Sequence, residues 1–313
     1  MTIVTGTVLT FSAIGNREDL MDTIYNISPV DTPFLGRIPT SKANATKHEW
    51  QTDTLAAASS SNAQLEGDDY TYSTPAFTSR VDNQCQIAYK TVVVSKTQDA
   101  VNKAGRTNEM VYQIMKRGKE LRRDMEAGTT GNQAKVTGNS TTARQLRSLD
   151  AWYTTNTQRG ATGSSGGAAT AATDGTQRPL TESLLKTAIQ QSWTAGGDPD
   201  LIMAGPFNKQ VVSSFGGNVS RIDNNSGDKT LNTAIDIYVS DFGQHSIIAN
   251  RFSRDRDLHV LTTELWAFAY LRPMATQDVA ATGDATKGAI VVEYTLEARN
   301  EAGSAIVADL TTS

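Results

Sequence analysis

Three prolines, Pro29, Pro33 and Pro39, punctuate the stretch Asn26-Ile-Ser-Pro-Val-Asp-Thr-Pro-Phe-Leu-Gly-Arg-Ile38-Pro39 and restrict what it can fold into. Each fixes its own φ, removes a backbone donor and pushes the preceding residue toward extended geometry. Ile27, Val30, Phe34, Leu35 and Ile38 are therefore expected along a stiff arm rather than on one helical face. Apolar residues on such an arm need a surface to lie on.

The rest of the chain has enough material for a core: 313 residues, 38% hydrophobic and 20% charged, suit one large domain or two intertwined ones. The formal net charge of -4 argues against tight binding of DNA or RNA, which calls for a basic face. Met1-Thr-Ile-Val-Thr-Gly6 lacks the basic and apolar regions of a secretory leader, and the apolar run Leu265–Leu271 is too short to cross a bilayer. The expectation is a chain made in a cytoplasm, with no membrane partner. Cys85 is the single cysteine, which excludes an intrachain disulfide and a multi-cysteine metal site.

Trp50 to Gln84 is rich in Ser, Thr, Ala, Asp and Tyr and reads as a long two-stranded excursion with a polar tip at Gly67-Asp68-Asp69. A lone two-stranded ribbon is not stable, so this element also asks for a neighbour. Gln86–Val94 reads as a strand, and Ser95-Lys-Thr-Gln98 has the form of a helix capping box. Helix is expected from about 97 to 127, bending or restarting at Gly105, with Met110, Ile114, Gly118, Leu121 and Met125 on one face. Lys116, Lys119 and Arg123 fall opposite, and Gly128 is the expected stop. The segment from 107 to 127 would span about 30 Å, as a spine along a domain.

Residues 154–177 form a Gly/Ala/Thr/Ser loop that is expected to be either disordered or held by something. Helices are expected at 181–194 and 207–215, around a short apolar strand at 201–204. Strands follow at 234–240, 245–250, 258–263, 265–272, 288–299 and 304–310. Helices and strands segregate, so the class is α+β.

Chemistry is scarce. His48, His245 and His259 lack metal-ligand spacing, and no phosphate loop or dinucleotide fingerprint occurs, so no cofactor, metal or catalytic residue is assigned. Gly163-Ser-Ser-Gly-Gly167 matches G-x-S-x-G without the strand and helix that a nucleophile elbow needs. The sequons headed by Asn26, Asn44, Asn139, Asn218 and Asn224 read as ordinary polar loops, and Asp223–Asp228 as a surface turn rather than a calcium loop. Arg254-Asp-Arg-Asp257 alternates in sign; in an extended segment both arginines would face one side and both aspartates the other. That leaves two readings, a solvated edge or a protein–protein contact.

A set of short segments in order carries a resemblance: Ser28-Pro-Val-Asp-Thr-Pro-Phe34, Trp50-Gln-Thr-Asp-Thr-Leu55, Val94-Ser-Lys-Thr97, Gly118-Lys-Glu-Leu-Arg-Arg-Asp124, Ser240-Asp-Phe-Gly243, Asn250–Asp257, Tyr270-Leu-Arg-Pro273 and Val292–Glu301. Together they resemble the major capsid proteins of tailed bacteriophages, with the Hong Kong 97-like fold, in the podovirus-type major head protein subgroup. The resemblance implies an N-terminal arm (1–50), an extended β-hairpin loop (51–85), a peripheral domain with a long spine helix (86–178 and 273–313) and an axial domain (179–272). It implies a homo-oligomer of hexamers and pentamers in an icosahedral virion assembled in the host cytoplasm. Portal, scaffolding or cement proteins would be partners, and packaged dsDNA would be touched only weakly and non-specifically. A bacterial nanocompartment shell of the same fold and a hydrolase using Ser165 are the alternatives.

On this reading the intersubunit contact candidates are Pro29, Pro33, Phe34, Leu35 and Arg37 on the arm, Asp68, Asp69 and Tyr70 on the loop, and Arg254, Asp255, Arg256 and Asp257. Some relatives of this fold link subunits through a loop lysine, whereas Gln51–Gln84 contains none, so a noncovalent shell is expected.

Overall fold

The computed structural model describes residues 31–105, 107–215 and 236–313. Pro29, the sequons at 26, 218 and 224, and the Asp223–Asp228 turn lie outside the described residues.

The stretch around Pro33 departs from the expected extended arm. Helix α1 (Pro33–Arg37) starts on the proline itself, at a first-turn position where a missing N–H costs nothing. Phe34 is fully buried and Ile38 nearly so, both in the chain's own core. The surface that this short segment needed is therefore supplied by the same chain.

Strand β1 (Thr40–Lys42) continues from α1, and β2 (Lys47–Thr52) pairs antiparallel with β3 (Ser79–Gln84), forming the base of the expected excursion. Strand β4 (Gln86–Ser95) follows, with Val92 and Val94 buried. At its end the Ser95 hydroxyl accepts from Gln98 N and starts α2 (Lys96–Ala100), as the capping box predicts. The helix then stops: Gly105 takes φ +74°, and α3 (Glu109–Thr130) begins afresh on the Asn108 cap. Of a bend or a restart at Gly105 the restart is the outcome, so two helices cover the expected span of 97–127.

Helix α3 also runs through Gly128, whose expected stop is not used. The Thr129 and Thr130 hydroxyls donate to carbonyls of the preceding turn and are themselves buried, and the helix ends at the next glycine, with Gly131 as its C-cap. Its 22 residues extend about 33 Å, with Leu121 and Met125 fully covered.

Short helix α4 (Leu149–Trp152) and strand β5 (Thr157–Gln158) lead into α5 (Glu182–Thr194), capped by Thr181, with Leu185, Ala188 and Ile189 buried. Strand β6 (Leu201–Ala204) has all four residues buried, and α6 (Pro206–Ser213) again opens on proline. The remaining strands are β7 (Ile237–Ser240), β8 (Gly243–Ala249), β9 (Leu258–Leu261), β10 (Trp266–Val279), β11 (Ala285–Ala298) and β12 (Ala305–Val307).

Two main sheets result. One is four-stranded in the order β1-β10-β11-β4; the other is six-stranded in the order β5-β12-β9-β6-β8-β7. Leu121 and Met125 of α3 share a core with Phe268, Ile290, Val292, Tyr294 and Leu296 of the first sheet. A second core joins Leu185 and Ile189 of α5 to Ile202, Val260 and Val307. The six-stranded sheet draws β5 and β12 from segments far apart in sequence, on either side of its other strands.

Candidate interaction surfaces

Three features stand out: the anchor of α1, the excursion between β2 and β3, and a charged cluster around residues 254–257. At the first, Glu126 near the end of α3 is fully buried. Its Oε1 accepts from Phe34 N at 2.8 Å and Asn250 Nδ2 at 2.7 Å, and Oε2 accepts from Leu35 N at 2.9 Å. A carboxylate at a helix N-terminus satisfies donors that the helix leaves open. Burial raises the Glu126 pKa, opposed by these hydrogen bonds. Of the arm candidates within the described residues, Phe34 is therefore an internal anchor, which corrects its expected place on an outward contact surface. Pro33 and Leu35 are partly covered, and Arg37 is exposed, reaching only Ser246 Oγ at 3.5 Å.

The excursion is the opposite case. Residues 53–78 are exposed throughout and contain no helix or strand. Leu55, Leu65, Tyr70, Tyr72 and Phe77 are 80–99% exposed. Asp53, Glu66, Asp68 and Asp69 make this limb acidic, and it carries no lysine or arginine. Its base is fixed firmly: Trp50 Nε1 donates to Ala298 O at 2.8 Å, and His48 Nε2 contacts Glu297 Oε2 at 3.2 Å. Ser41 Oγ donates to the same oxygen at 2.6 Å. Elsewhere on the molecule, Val111 and Met115 of α3 are 51% and 58% exposed. They lie one helical turn apart, in a row continued by the exposed Lys119 and Arg122.

The charge run at 254–257 forms a turn, closed by Asp257 N donating to Arg254 O at 3.1 Å, not an extended strip. The alternating signs therefore converge instead of separating onto two sides. Arg254 meets Asp150 at 2.6 Å, Asp174 at 2.5 Å and Asp257 at 3.1 Å. Arg256 meets Asp309 at 2.7 Å and Asp174 at 3.1 Å, while Arg159 meets Asp150 at 2.8 Å. Asp257 is buried, Arg254 and Arg256 are half-buried, and Asp255 alone of the four is exposed.

This cluster is what holds the Gly-rich loop. Asp309, itself in the left-handed region at φ 61°, accepts from Gly160 N at 3.0 Å and Gly175 N at 2.7 Å. A Cβ on Gly160 would lie 2.1 Å from Thr176 O, so the two arms of the loop approach too closely for a side chain there. Asn132 closes the far end, donating to Ala172 O and accepting from Ala172 N. Of the two expectations for residues 154–177, the held loop is the one found.

The G-x-S-x-G serine faces another hydroxyl: Ser165 Oγ contacts Thr157 Oγ1 at 3.1 Å. His245 does meet a serine, Ser240, at 2.6 Å, but its other ring nitrogen faces Pro199 O. That serine also accepts from Phe242 N, so the pair fastens the β7–β8 turn. No group of three or more His, Cys, Asp or Glu suited to a metal ion occurs among the described residues. No helix among them is long and apolar enough to cross a membrane.

Residues 3–311 match the family described as the SU10 major capsid protein. The major capsid protein of Escherichia phage Phieco32 is 26% identical, over 94% of this chain and 94% of its own length. Among solved structures, a chain of the Cyanophage A-1(L) capsid asymmetric unit superposes with a TM-score of 0.68 at 15% identity, covering 97% of this chain and 99% of that one. A Gordonia phage Cozz chain gives a TM-score of 0.62 at 10% identity, covering 99% and 98% respectively.

Proposed function

The chain belongs to the SU10 major capsid protein family, and we propose that copies of it close into the hexamers and pentamers of a tailed-phage head enclosing double-stranded DNA. It is a major capsid protein with the Hong Kong 97-like fold. The observation that carries the assembly reading is the limb at 53–78, long, exposed and dotted with large apolar residues that meet no partner in their own subunit.

The chemistry of the limb indicates its resting place. Its Tyr70, Tyr72 and Phe77 match the exposed Val111 and Met115 of a neighbouring α3, and Glu66, Asp68 and Asp69 match Lys116, Lys119 and Arg122 there. Complementary charge fixes register and apolar contact supplies affinity. The domain division expected from sequence stands in this proposal, with the four-stranded sheet and α3 as the centre of the peripheral part. The arm preceding Asp31 docks on a neighbouring subunit through Pro29, and Arg37 and Asp255 remain candidates at the subunit rim. A net charge of -4 suits a container that touches packaged DNA only weakly. Portal and scaffolding or cement proteins complete the set of partners, with assembly in the host cytoplasm.

Electron microscopy of the purified full chain tests the reading. Shells are expected for wild type. Changing Tyr70, Tyr72 and Phe77 together to Ser should leave circular dichroism unchanged while abolishing particles. Normal particles from that variant would overturn the role given to the limb.

A further inference from the structure

The cluster that fastens the Gly-rich loop is unbalanced. Asp150, Asp174, Asp257 and Asp309 bring four carboxylates to Arg159, Arg254 and Arg256, which bring three guanidiniums. Three carboxylates are well served: Asp150 by two arginines, Asp174 by two, and Asp309 by Arg256 and two glycine N–H groups. Asp257 is not. It is 1% exposed, neither of its oxygens makes a hydrogen bond, and its one ionic contact is to Arg254 Nη1 at 3.1 Å. That same nitrogen already bonds Asp150 at 2.6 Å. Asp174 is exposed and its charge is screened by solvent, whereas a buried negative charge on Asp257 with no hydrogen bond of its own is costly, and a proton removes it.

We propose that Asp257 is a buried proton-binding site that closes the charge balance of this cluster, and that loss of its proton loosens the grip on the 159–175 loop. Arg254 is the coupling element, since its Nη1 serves Asp150 and Asp257 while its Nη2 holds Asp174 on the loop. An ionised Asp257 draws the guanidinium toward itself and away from Asp174. The groups facing Asp257 are Asp150 on α4, Arg159 and Asp174 on the loop, Arg254 on its own turn, and Tyr153 beyond α4, on whose ring His259 of β9 stacks. Burial first, then Asp150, raise the Asp257 carboxyl to about 8, against Arg254 and Arg159, which lower it. Burial holds His259 down to about 4, so it does not supply the missing positive charge near neutrality.

The sign follows from linkage. The folded chain keeps a proton on Asp257 that the unfolded chain releases in the ordinary aspartate range, so stability declines as pH rises toward about 8 and levels off above it. Within that window the loop-closing equilibrium should fall by up to about tenfold per pH unit.

The test compares the full-length wild type with Asp257→Asn, which mimics the neutral acid. Hydrogen exchange of peptides spanning 159–176, corrected for intrinsic rates, should show wild-type protection falling from about pH 6 to about pH 9 and the variant staying level. Equal pH dependence in both proteins would overturn the proposal. So would a variant at least tenfold less protected than wild type at about pH 6, because that is the mark of an ionised, paired Asp257. If the variant does not fold, infrared titration of wild type carrying isotope-labelled aspartate decides. A protonated aspartate band that vanishes on alkalinisation supports the site, and its absence at about pH 6 overturns it.

Discussion

Glu126→Gln is the most informative single change at the anchor of α1, because it keeps shape and removes only charge and one acceptor. The wild-type carboxylate receives three donors: Phe34 N, Leu35 N and Asn250 Nδ2. In the variant, the amide oxygen keeps Phe34 and Asn250, while the new NH2 group faces the Leu35 N–H. One charge-assisted bond worth about 1.5–3 kcal/mol is lost, and the other two weaken. Relief of a buried charge offsets part of this, as the burial-raised pKa of Glu126 indicates. The net expectation is a destabilisation of about 2–3 kcal/mol, rising to about 3–5 kcal/mol for Glu126→Ala, which leaves all three donors stranded. Urea unfolding of the unassembled full chain measures both. The midpoint should drop in that order at unchanged slope. A Gln variant as stable as wild type, or more stable, would refute the reasoning, because the carboxylate would then be a burden that its hydrogen bonds do not repay.

Further outcomes concern acid, the loop and covalent chemistry. Hydrogen bonding from His48, then from Ser41 and Arg299, holds the Glu297 carboxyl at about 2 against burial. Its depressed pKa contributes stability that is present above the ordinary glutamate range and lost as pH falls through about 2, on the order of 3 kcal/mol in all. Glu297→Gln should flatten that part of a stability-versus-pH curve. Asp309→Asn tolerates the left-handed backbone but gives up the ion pair with Arg256, so limited proteolysis within 160–175 should quicken; unchanged cleavage would show that the loop is held elsewhere. Cys85 is fully buried and its thiol is pushed up to about 11, chiefly by burial. Boiled particles without reductant should run as monomers of unmodified mass, and covalent ladders would contradict a noncovalent shell.

Much of this architecture is readable locally. The Ser95 capping box, the apolar face of α3 and the β-branched run of β4 are short-range patterns, and each appears where its spacing places it. Pro33 is ambiguous in sequence because proline is equally a helix breaker and a helix opener, and what decides is an acceptor 92 residues away from Phe34. The run Arg254–Asp257 is ambiguous for the same reason. Its alternation suggests two faces, whereas the partners that fold it into a turn, Asp150, Asp174 and Asp309, are remote in sequence. Nothing in a Gly/Ala/Thr/Ser loop announces that an aspartate near residue 310 will pin it. Distances along the chain of this kind leave no periodic trace.

The exposed limb between β2 and β3 has a consequence for the life of the free subunit. An unstructured, fully accessible segment is the preferred substrate of proteases, while its anchored base belongs to a folded body that resists them. A subunit without neighbours is thus open to cutting within this limb, and on the role proposed for the limb a nicked subunit keeps its fold while losing the segment that joins it to others. Assembly and degradation then compete for the same residues. A subunit's lifetime is set by how soon it meets its next copy, and surplus chains are cleared without any need to unfold them.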